Sequence, residues 1–261
     1  MARPAALITG ASAGIGRAFA EGLAARGYDL VIVARDTARL EALDKELAAA
    51  HGTSTEVLTA DLGDRAQLAA VEARLADADR AIDLLVNNAG FGTIGTFHEL
   101  PVDREEQEIA LNVVALTRLT HAALAPMVRR GSGGVINVSS IAAYQPTPTN
   151  ATYGATKAFV SSLSQGIHEE LKGTGVNCMA LCPGFTRTEF QERAGIDSAD
   201  IPDFLWQDAV TVVDYAMKAF AKGKAVCVPG LLNQTTAGFS GTVPSSVSRR
   251  VAGLIVKRAD K

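Results

Sequence analysis

The chain has 261 residues, 48% hydrophobic and 20% charged, with a formal net charge of -3. That balance supplies a globular core and excludes a disordered chain or one that binds nucleic acid through bulk positive charge. No apolar run approaches the roughly 18 residues of a membrane span, and the N-terminus enters an apolar strand without a basic leader, so a cytoplasmic protein is expected.

The predicted elements alternate from the start. A short apolar strand at 5–9 is followed by a glycine turn and a helical pattern over 15–25. Strands at 30–33 and 57–60 are followed by helices at 37–50 and 65–77. A fourth strand at 82–86 ends in Asn87-Asn88-Ala89-Gly90, and a long helix spans 103–130, where Pro126 is expected to bend or interrupt it. Then come a strand at 134–139, a helix at 153–171, a strand at 176–181, a helix at 209–221 and a strand at 225–228. Short, continuously apolar strands separated by helices predict a parallel sheet covered on both faces. Right-handed crossovers then give an α/β fold, a doubly wound seven-stranded parallel sheet of Rossmann type in a single domain.

That domain is read as 1–231. Residues 232–261 form a C-terminal extension with a helical pattern at 246–257. There Val247, Val251, Leu254 and Ile255 make an apolar stripe, beside Arg249, Arg250, Lys257, Arg258 and Lys261. Packing on its own domain or on a partner subunit is the ordinary reading; peripheral contact with an anionic membrane is the alternative.

Thr9-Gly10-Ala11-Ser12-Ala13-Gly14-Ile15-Gly16 joins the first strand to the first helix. Glycines there permit a tight turn and close approach of a pyrophosphate to a helix N-terminus. Gly10, Ser12, Gly14, Ile15 and Gly16 are the candidate contacts of a dinucleotide. An acidic residue at the end of the second strand would bond a free 2′-hydroxyl, whereas an arginine accommodates a 2′-phosphate. Here that strand ends Val33-Ala34-Arg35, which favours NADP(H) over NAD(H). Asp36 could neutralise Arg35, and Arg17 could add a second cationic contact.

Tyr153 and Lys157, one helical turn apart, share a face, and Ser140 lies thirteen residues before the tyrosine. A cation beside a phenol favours the phenolate, so Lys157 is expected to lower the Tyr153 pKa toward neutrality. Cys178, Cys182 and Cys227 lack metal-ligand spacing and read as buried, inert thiols. The four histidines form no ligand pattern, and no metal site is expected.

These motifs together resemble the short-chain dehydrogenase/reductase family, from Ala5 to about Gly230. The matching residues are Thr9 to Gly16, Asp61-Leu62, Asn87 to Gly90, Asn112, Ser140, Tyr153, Lys157 and Pro183-Gly184. The resemblance implies that Tyr153 is the acid in reduction and the base in oxidation. Lys157 would hold the nicotinamide ribose, and Ser140 would bond the substrate oxygen. Asn112 would interrupt its helix and position a water in a proton relay. Asp61 and Leu62 would border the adenine, unless Asp61 only caps the next helix. Asn88, Ala89 and Gly90 would pass close to the cofactor, and Pro183, Gly184, Thr186 and Thr188 would lie at its nicotinamide end. The implied function is an NADP(H)-dependent carbonyl reductase or alcohol dehydrogenase; the alternative is a non-catalytic dinucleotide-binding redox sensor or scaffold.

Phe185, Phe190, Phe204, Leu205 and Trp206, with Tyr144 and 146–150, predict an apolar pocket for a hydrophobic ketone or alcohol. Alternatively, the aromatics fix a lid to the body. Val160, Leu163, Ile167 and Leu171 stripe the helix of Tyr153. The resemblance suggests pairing of such helices in a homodimer, a tetramer remaining open; intrachain packing is the plainer reading.

Overall fold

The computed structural model describes residues 3–194, 202–231 and 233–235. Its centre is a seven-stranded parallel sheet in the order β3-β2-β1-β4-β5-β6-β7. The strands are β1 (Ala5–Thr9), β2 (Asp29–Ala34), β3 (Thr55–Thr59), β4 (Leu84–Asn87), β5 (Gly133–Val138), β6 (Val176–Leu181) and β7 (Val226–Cys227). β1, β2, β4, β5 and β6 are buried almost throughout, as their continuous apolar runs require; the edge strand β3 is only half-buried.

The period of two divides the core. Ala6, Ile8, Leu30 and Ile32 face one layer, made by α1 (Gly14–Ala24), α2 (Thr37–His51) and α8 (Ala209–Ala221) through Phe19, Leu23, Leu43 and Val212. Leu7, Val31, Leu85 and Val135 face the other, where α3 (Arg65–Ala76) and α5 (Leu116–Arg130) contribute Leu68, Val71, Leu119 and Met127. Three of these helices begin on an aspartate that accepts from their first turn, Asp36 for α2, Asp64 for α3 and Asp208 for α8. Asp61 therefore does not cap α3; it closes its own turn by accepting from Gly63 N–H at 2.9 Å.

The long helix expected over 103–130 is three pieces: α4 (Val102–Ile109), a π-helical segment (Ala110–Ala115) and α5. The break falls at Asn112, and α5 continues through Pro126 as one helix. By length and composition this run could cross a membrane, yet Leu116, Leu119, Ala123 and Met127 are buried in the domain's own core. α6 (Ala151–Glu170) carries Tyr153 and Lys157. Val160 and Leu171 of its predicted stripe are buried in the core and Ile167 packs against it, so the intrachain reading applies to them. A short α7 (Phe190–Ala194), absent from the sequence reading, begins the segment after Pro183-Gly184. The expected helix at 246–257 and its charged stripe lie outside the described residues.

A buried polar chain joins the sheet to α5 and α6. Asn87 Nδ2 donates to Thr120 Oγ1 and Asn137 Oδ1, both at 2.9 Å, and Asn137 Nδ2 donates to Ser164 Oγ at 3.0 Å. Because every partner is out of water, Asn137→Ala is expected to cost about 1–3 kcal/mol for each group left unpaired. Urea denaturation reads this directly; a midpoint equal to wild type would show the chain to be dispensable.

Candidate active site

The strand order reverses between β1 and β4, so the segments leaving these strands diverge and open a crevice at their carboxyl ends. The cleft there measures ≈ 1210 Å³ and runs from Arg35 and Asp61 at one end past Tyr153 to Phe185 and Phe190 at the other. Pockets for single drug-sized ligands reach about 1,000 Å³, so this cleft has room for a dinucleotide with a substrate beside it.

The fit to a dinucleotide is visible in what the first turn lacks. α1 has no side-chain cap at Ala13 and no acidic residue in its first turn, unlike the aspartate-capped helices around it. Its first N–H groups are left for an anion. Gly10 has φ 66°, and a Cβ on it would stand 2.8 Å from Asn88 Nδ2; Gly14 has φ 55° and lies against Thr188. A Cβ on Gly16 would fall 2.3 Å from the Gly10 carbonyl oxygen, so the helix can pack this close to the turn only with hydrogen at that position. Asn88 fixes the turn from β4, its Nδ2 donating to the carbonyls of Thr9 at 3.0 Å and Gly10 at 3.3 Å.

Of the residues picked from sequence, Gly10, Ser12, Gly14, Ile15, Arg35, Asp61, Leu62, Asn88, Ala89 and Gly90 line the cleft. So do Ser140, Tyr153, Lys157, Pro183, Gly184, Thr186 and Thr188. Gly16 and Asn112 do not; they sit behind the wall and shape it. Asn112 is buried, donating to the Phe91 carbonyl at 2.8 Å and Thr156 Oγ1 at 3.1 Å while accepting from Phe91 N–H at 3.2 Å. A Cβ on Gly90 would lie 2.8 Å from Asn112 Oδ1 and 3.5 Å from Lys157 Nζ, so the amide and the ammonium flank that glycine.

At the inner end, the Ser140 hydroxyl faces the Tyr153 phenol and opposes the rise of its pKa, while it caps a short 3₁₀ turn by accepting from Ala142 N–H at 3.1 Å. Ser139 is structural, donating to the Lys157 carbonyl at 2.8 Å. Lys157 Nζ donates to the Val138 carbonyl at 2.9 Å and lies 5.5 Å from the Tyr153 ring centroid. Charge and burial balance differently here from the sequence expectation. Burial pushes the Tyr153 phenol up to about 12, against the Ser140 hydrogen bond, and draws Lys157 down to about 8, against the negative charge of Glu108. Both side chains lose water, which penalises each charged form. In the free protein burial dominates the tyrosine.

Charges at the outer end are also sorted differently. Asp36 accepts from Arg39 N–H at 3.0 Å and pairs with the Arg39 guanidinium at 3.6 Å, leaving Arg35 76% exposed with Asp61 at 3.9 Å. Arg17 turns away to Glu21 and Glu46. Arg39, missed in the sequence, lines the cleft and bonds Glu189 at 2.9 and 3.0 Å. Its place on the next helix turn was the available signal.

At the substrate end Phe185 and Phe190 line the cleft with Pro146, Thr147, Pro148 and Asn150. Phe190 lies 5.5 Å from the Tyr153 ring. Phe204 is 75% exposed, and Trp206 meets the Phe185 ring at a 60° tilt with the Arg187 guanidinium 5.2 Å from its own ring; Phe204, Leu205 and Trp206 do not line the cleft. Tyr144 belongs to a neighbouring hollow, its hydroxyl 3.6 Å from Cys182 Sγ. Phe91, Arg104 and Gln107, also missed, complete the wall, with the Arg104 guanidinium 4.8 Å above the Phe91 ring. Cys178, Cys182 and Cys227 are free and buried, as expected.

The family model for short chain dehydrogenases matches residues 4–198. A short-chain dehydrogenase from Sphingobium yanoikuyae, solved in complex with NADPH, superposes with a TM-score of 0.84 at 41% identity, covering 92% of this chain and 96% of that one. The bulky-bulky ketone specific alcohol dehydrogenase from Comamonas testosteroni gives a TM-score of 0.79 at 36% identity, covering 92% and 95%. A sulfoacetaldehyde reductase from Chromohalobacter salexigens is 37% identical over 219 residues, 82% of this chain and 85% of that protein.

A methyl group at position 16 forces α1 off the glycine turn. Gly16→Ala is expected to weaken binding of the reduced nicotinamide dinucleotide by about tenfold or more, ~1.4 kcal/mol, in a fluorescence titration. An unchanged dissociation constant would remove the turn from the binding site.

Proposed function

The chain belongs to the short-chain dehydrogenase family, and from that premise we propose that it is an NADP(H)-dependent oxidoreductase. It moves a hydride between nicotinamide and the carbonyl or hydroxyl carbon of a hydrophobic ketone or alcohol. The observation that carries this reading is the meeting of Ser140, Tyr153 and Lys157 in one cleft with the uncapped start of α1. When bound, the dinucleotide supplies or accepts the hydride. Gly10, Ser12, Gly14 and Ile15 would hold its phosphates, Asp61 and Leu62 its adenine, Lys157 its nicotinamide ribose, and Pro183, Gly184, Thr186 and Thr188 its nicotinamide end. Tyr153 gives its phenolic proton to the substrate oxygen in reduction and takes it back in oxidation. Ser140 donates to that oxygen as negative charge builds. Asn112, held in the π segment between Phe91 and Thr156, backs Gly90 and would position a relay water toward the lysine.

The high pKa of Tyr153 supports a reductase at neutral pH, since the phenol then holds the proton that reduction consumes. The exposed Arg35 beside a distant Asp61 supports a 2′-phosphate contact, with Arg39 a second cation. Phe91, Ile141, Pro146, Phe185 and Phe190 support an apolar substrate. A homodimer is part of the reading, and Val114, Val128 and Phe159 offer exposed apolar surface on the π segment, α5 and α6. Arg104 favours a second substrate reading. It lines the cleft beside Phe91, and a cation there suits a small carbonyl compound carrying a carboxylate or sulfonate.

Tyr153→Phe should keep the NADPH dissociation constant and lower kcat by about 10²–10⁴-fold, the range for a lost general acid. Unchanged turnover would sink the mechanism, while tight cofactor binding without turnover of any ketone or aldehyde in wild type would favour a redox sensor. Arg35→Ser should weaken NADPH by about 10- to 100-fold, the worth of a charge-assisted contact, and leave NADH binding unchanged. Equal losses for both cofactors would remove Arg35 as the phosphate reader.

A further inference from the structure

One buried carboxyl beside the catalytic set has no part in the chemistry above. Glu108, 0% exposed, lies on the last turn of α4, one turn ahead of Asn112. Its Oε2 stands 3.0 Å from the Thr93 amide nitrogen and 3.0 Å from the Thr93 hydroxyl, while its Oε1 is buried without a partner. Glu105, 5% exposed, has both oxygens engaged: Oε1 accepts from the Thr93 hydroxyl at 2.6 Å and Oε2 from the Thr152 hydroxyl. These contacts tie α4 to the loop after β4 and to the first turn of α6, immediately before Tyr153.

The proton count at Thr93 decides the state of this pair. A threonine hydroxyl has one hydrogen to give, and two carboxyl groups stand within bonding distance of it. The two contacts either share that single hydrogen or are full hydrogen bonds at once, and the second arrangement requires one carboxyl to carry a proton and donate it to the Thr93 oxygen. Glu105 already accepts at both oxygens. Glu108 fits: a proton on its Oε2 goes to Thr93, whose own hydrogen goes to Glu105 at the shorter distance. The unpaired Oε1 is then a neutral carbonyl oxygen, far cheaper to bury than half of a carboxylate. Burial pushes Glu108 up to about 7, and the Glu105 charge adds to this while the Thr93 N–H and Lys157 oppose it. The titratable groups facing it are Glu105 on its own helix and Lys157 and Tyr153 on α6. His98 and Glu99 of the intervening loop are exposed, and Arg104 turns to the Phe91 ring.

Resting on the reading of Tyr153 and Lys157 above, we propose that Glu108 is a further positioning residue: it stores a proton against Thr93 and, on releasing it, becomes the buried counter-charge that keeps Lys157 an ammonium. Below neutrality Glu108 is neutral and Lys157 keeps its proton unaided. As pH rises through about 7, the carboxyl ionises and its charge raises Lys157, opposing the burial that draws the lysine down to about 8. The lysine thereby stays charged where burial alone would strip it.

The test is an NMR titration of Lys157 in protein labelled with carbon-13 at the lysine ε positions, the resonance being assigned by its loss in Lys157→Met. Glu108→Gln substitutes an amide that still donates to Thr93 and cannot ionise. The Lys157 midpoint is expected to fall by about one unit in this variant, a typical effect of losing a nearby opposite charge. Glu108→Asp, which keeps an ionisable carboxyl, should recover most of that fall. A Lys157 midpoint equal in wild type and Glu108→Gln overturns the proposal. The readout needs neither cofactor nor substrate, so it is independent of whether the NADP(H) reductase reading survives its own tests. Infrared spectra of the wild type give a check that requires no variant to fold. A protonated carboxyl band that persists above about pH 5, where exposed carboxyls have ionised, and fades through neutrality is expected; its absence overturns the proposal as well.

Discussion

Four hydrogen bonds between the ends of β1 and β4 hold the crevice on which the rest depends. Asn88 reaches back to the carbonyls of Thr9 and Gly10, and Thr9 Oγ1 accepts from the N–H groups of Asn88 and Ala89 at 2.9 and 3.0 Å. This is the point where the sheet order reverses. The clamp occupies the space that side chains at positions 10 and 16 would need. The glycines are thus demanded twice, once by the left-handed turn at Gly10 and again by the approach of α1 and Asn88. The same packing leaves the first amides of α1 free, and the cleft extends from them to the tyrosine.

Burial sets the chemistry within that cleft. A phenol and an ammonium out of water both move away from their charged forms, Tyr153 upward and Lys157 downward. At neutral pH this leaves a protonated tyrosine beside a lysine that still carries its charge. The lysine is held less by the tyrosine than by the backbone, through the Val138 carbonyl at the end of β5. A strand end is a rigid mount, which suits a group that must keep its geometry as protons move.

The interruption of the long helix has a corresponding logic. Glu105, Glu108 and Asn112 fall at i, i+3 and i+7, one stripe that faces inward. Apolar residues would normally fill such a stripe. Here the polar groups meet Thr93, Thr152, Phe91 and Thr156 instead, and the π segment at 110–115 turns Asn112 onto Gly90. Stability is spent at this stripe to place polar atoms behind the lysine.

The sequence alone was enough for the seven strands, the glycine turn and the pairing of Tyr153 with Lys157 on one helical face. Each of these rests on periodicity, on φ or on fixed spacing, which are properties of residues close in the chain. The end points of β3 and β4 shifted by a residue or two because strand ends are settled by pairing with neighbours. Tertiary structure decided what depends on distances between remote segments. Asp36 went to Arg39 and left Arg35 open, Arg17 turned from the cleft, and Arg104 entered it. Nothing in the sequence singled out Glu105 and Glu108, which are buried where α4 meets α6. Electrostatic energies turn on burial and on which charges face one another across the fold, and neither is written in the order of residues along one helix.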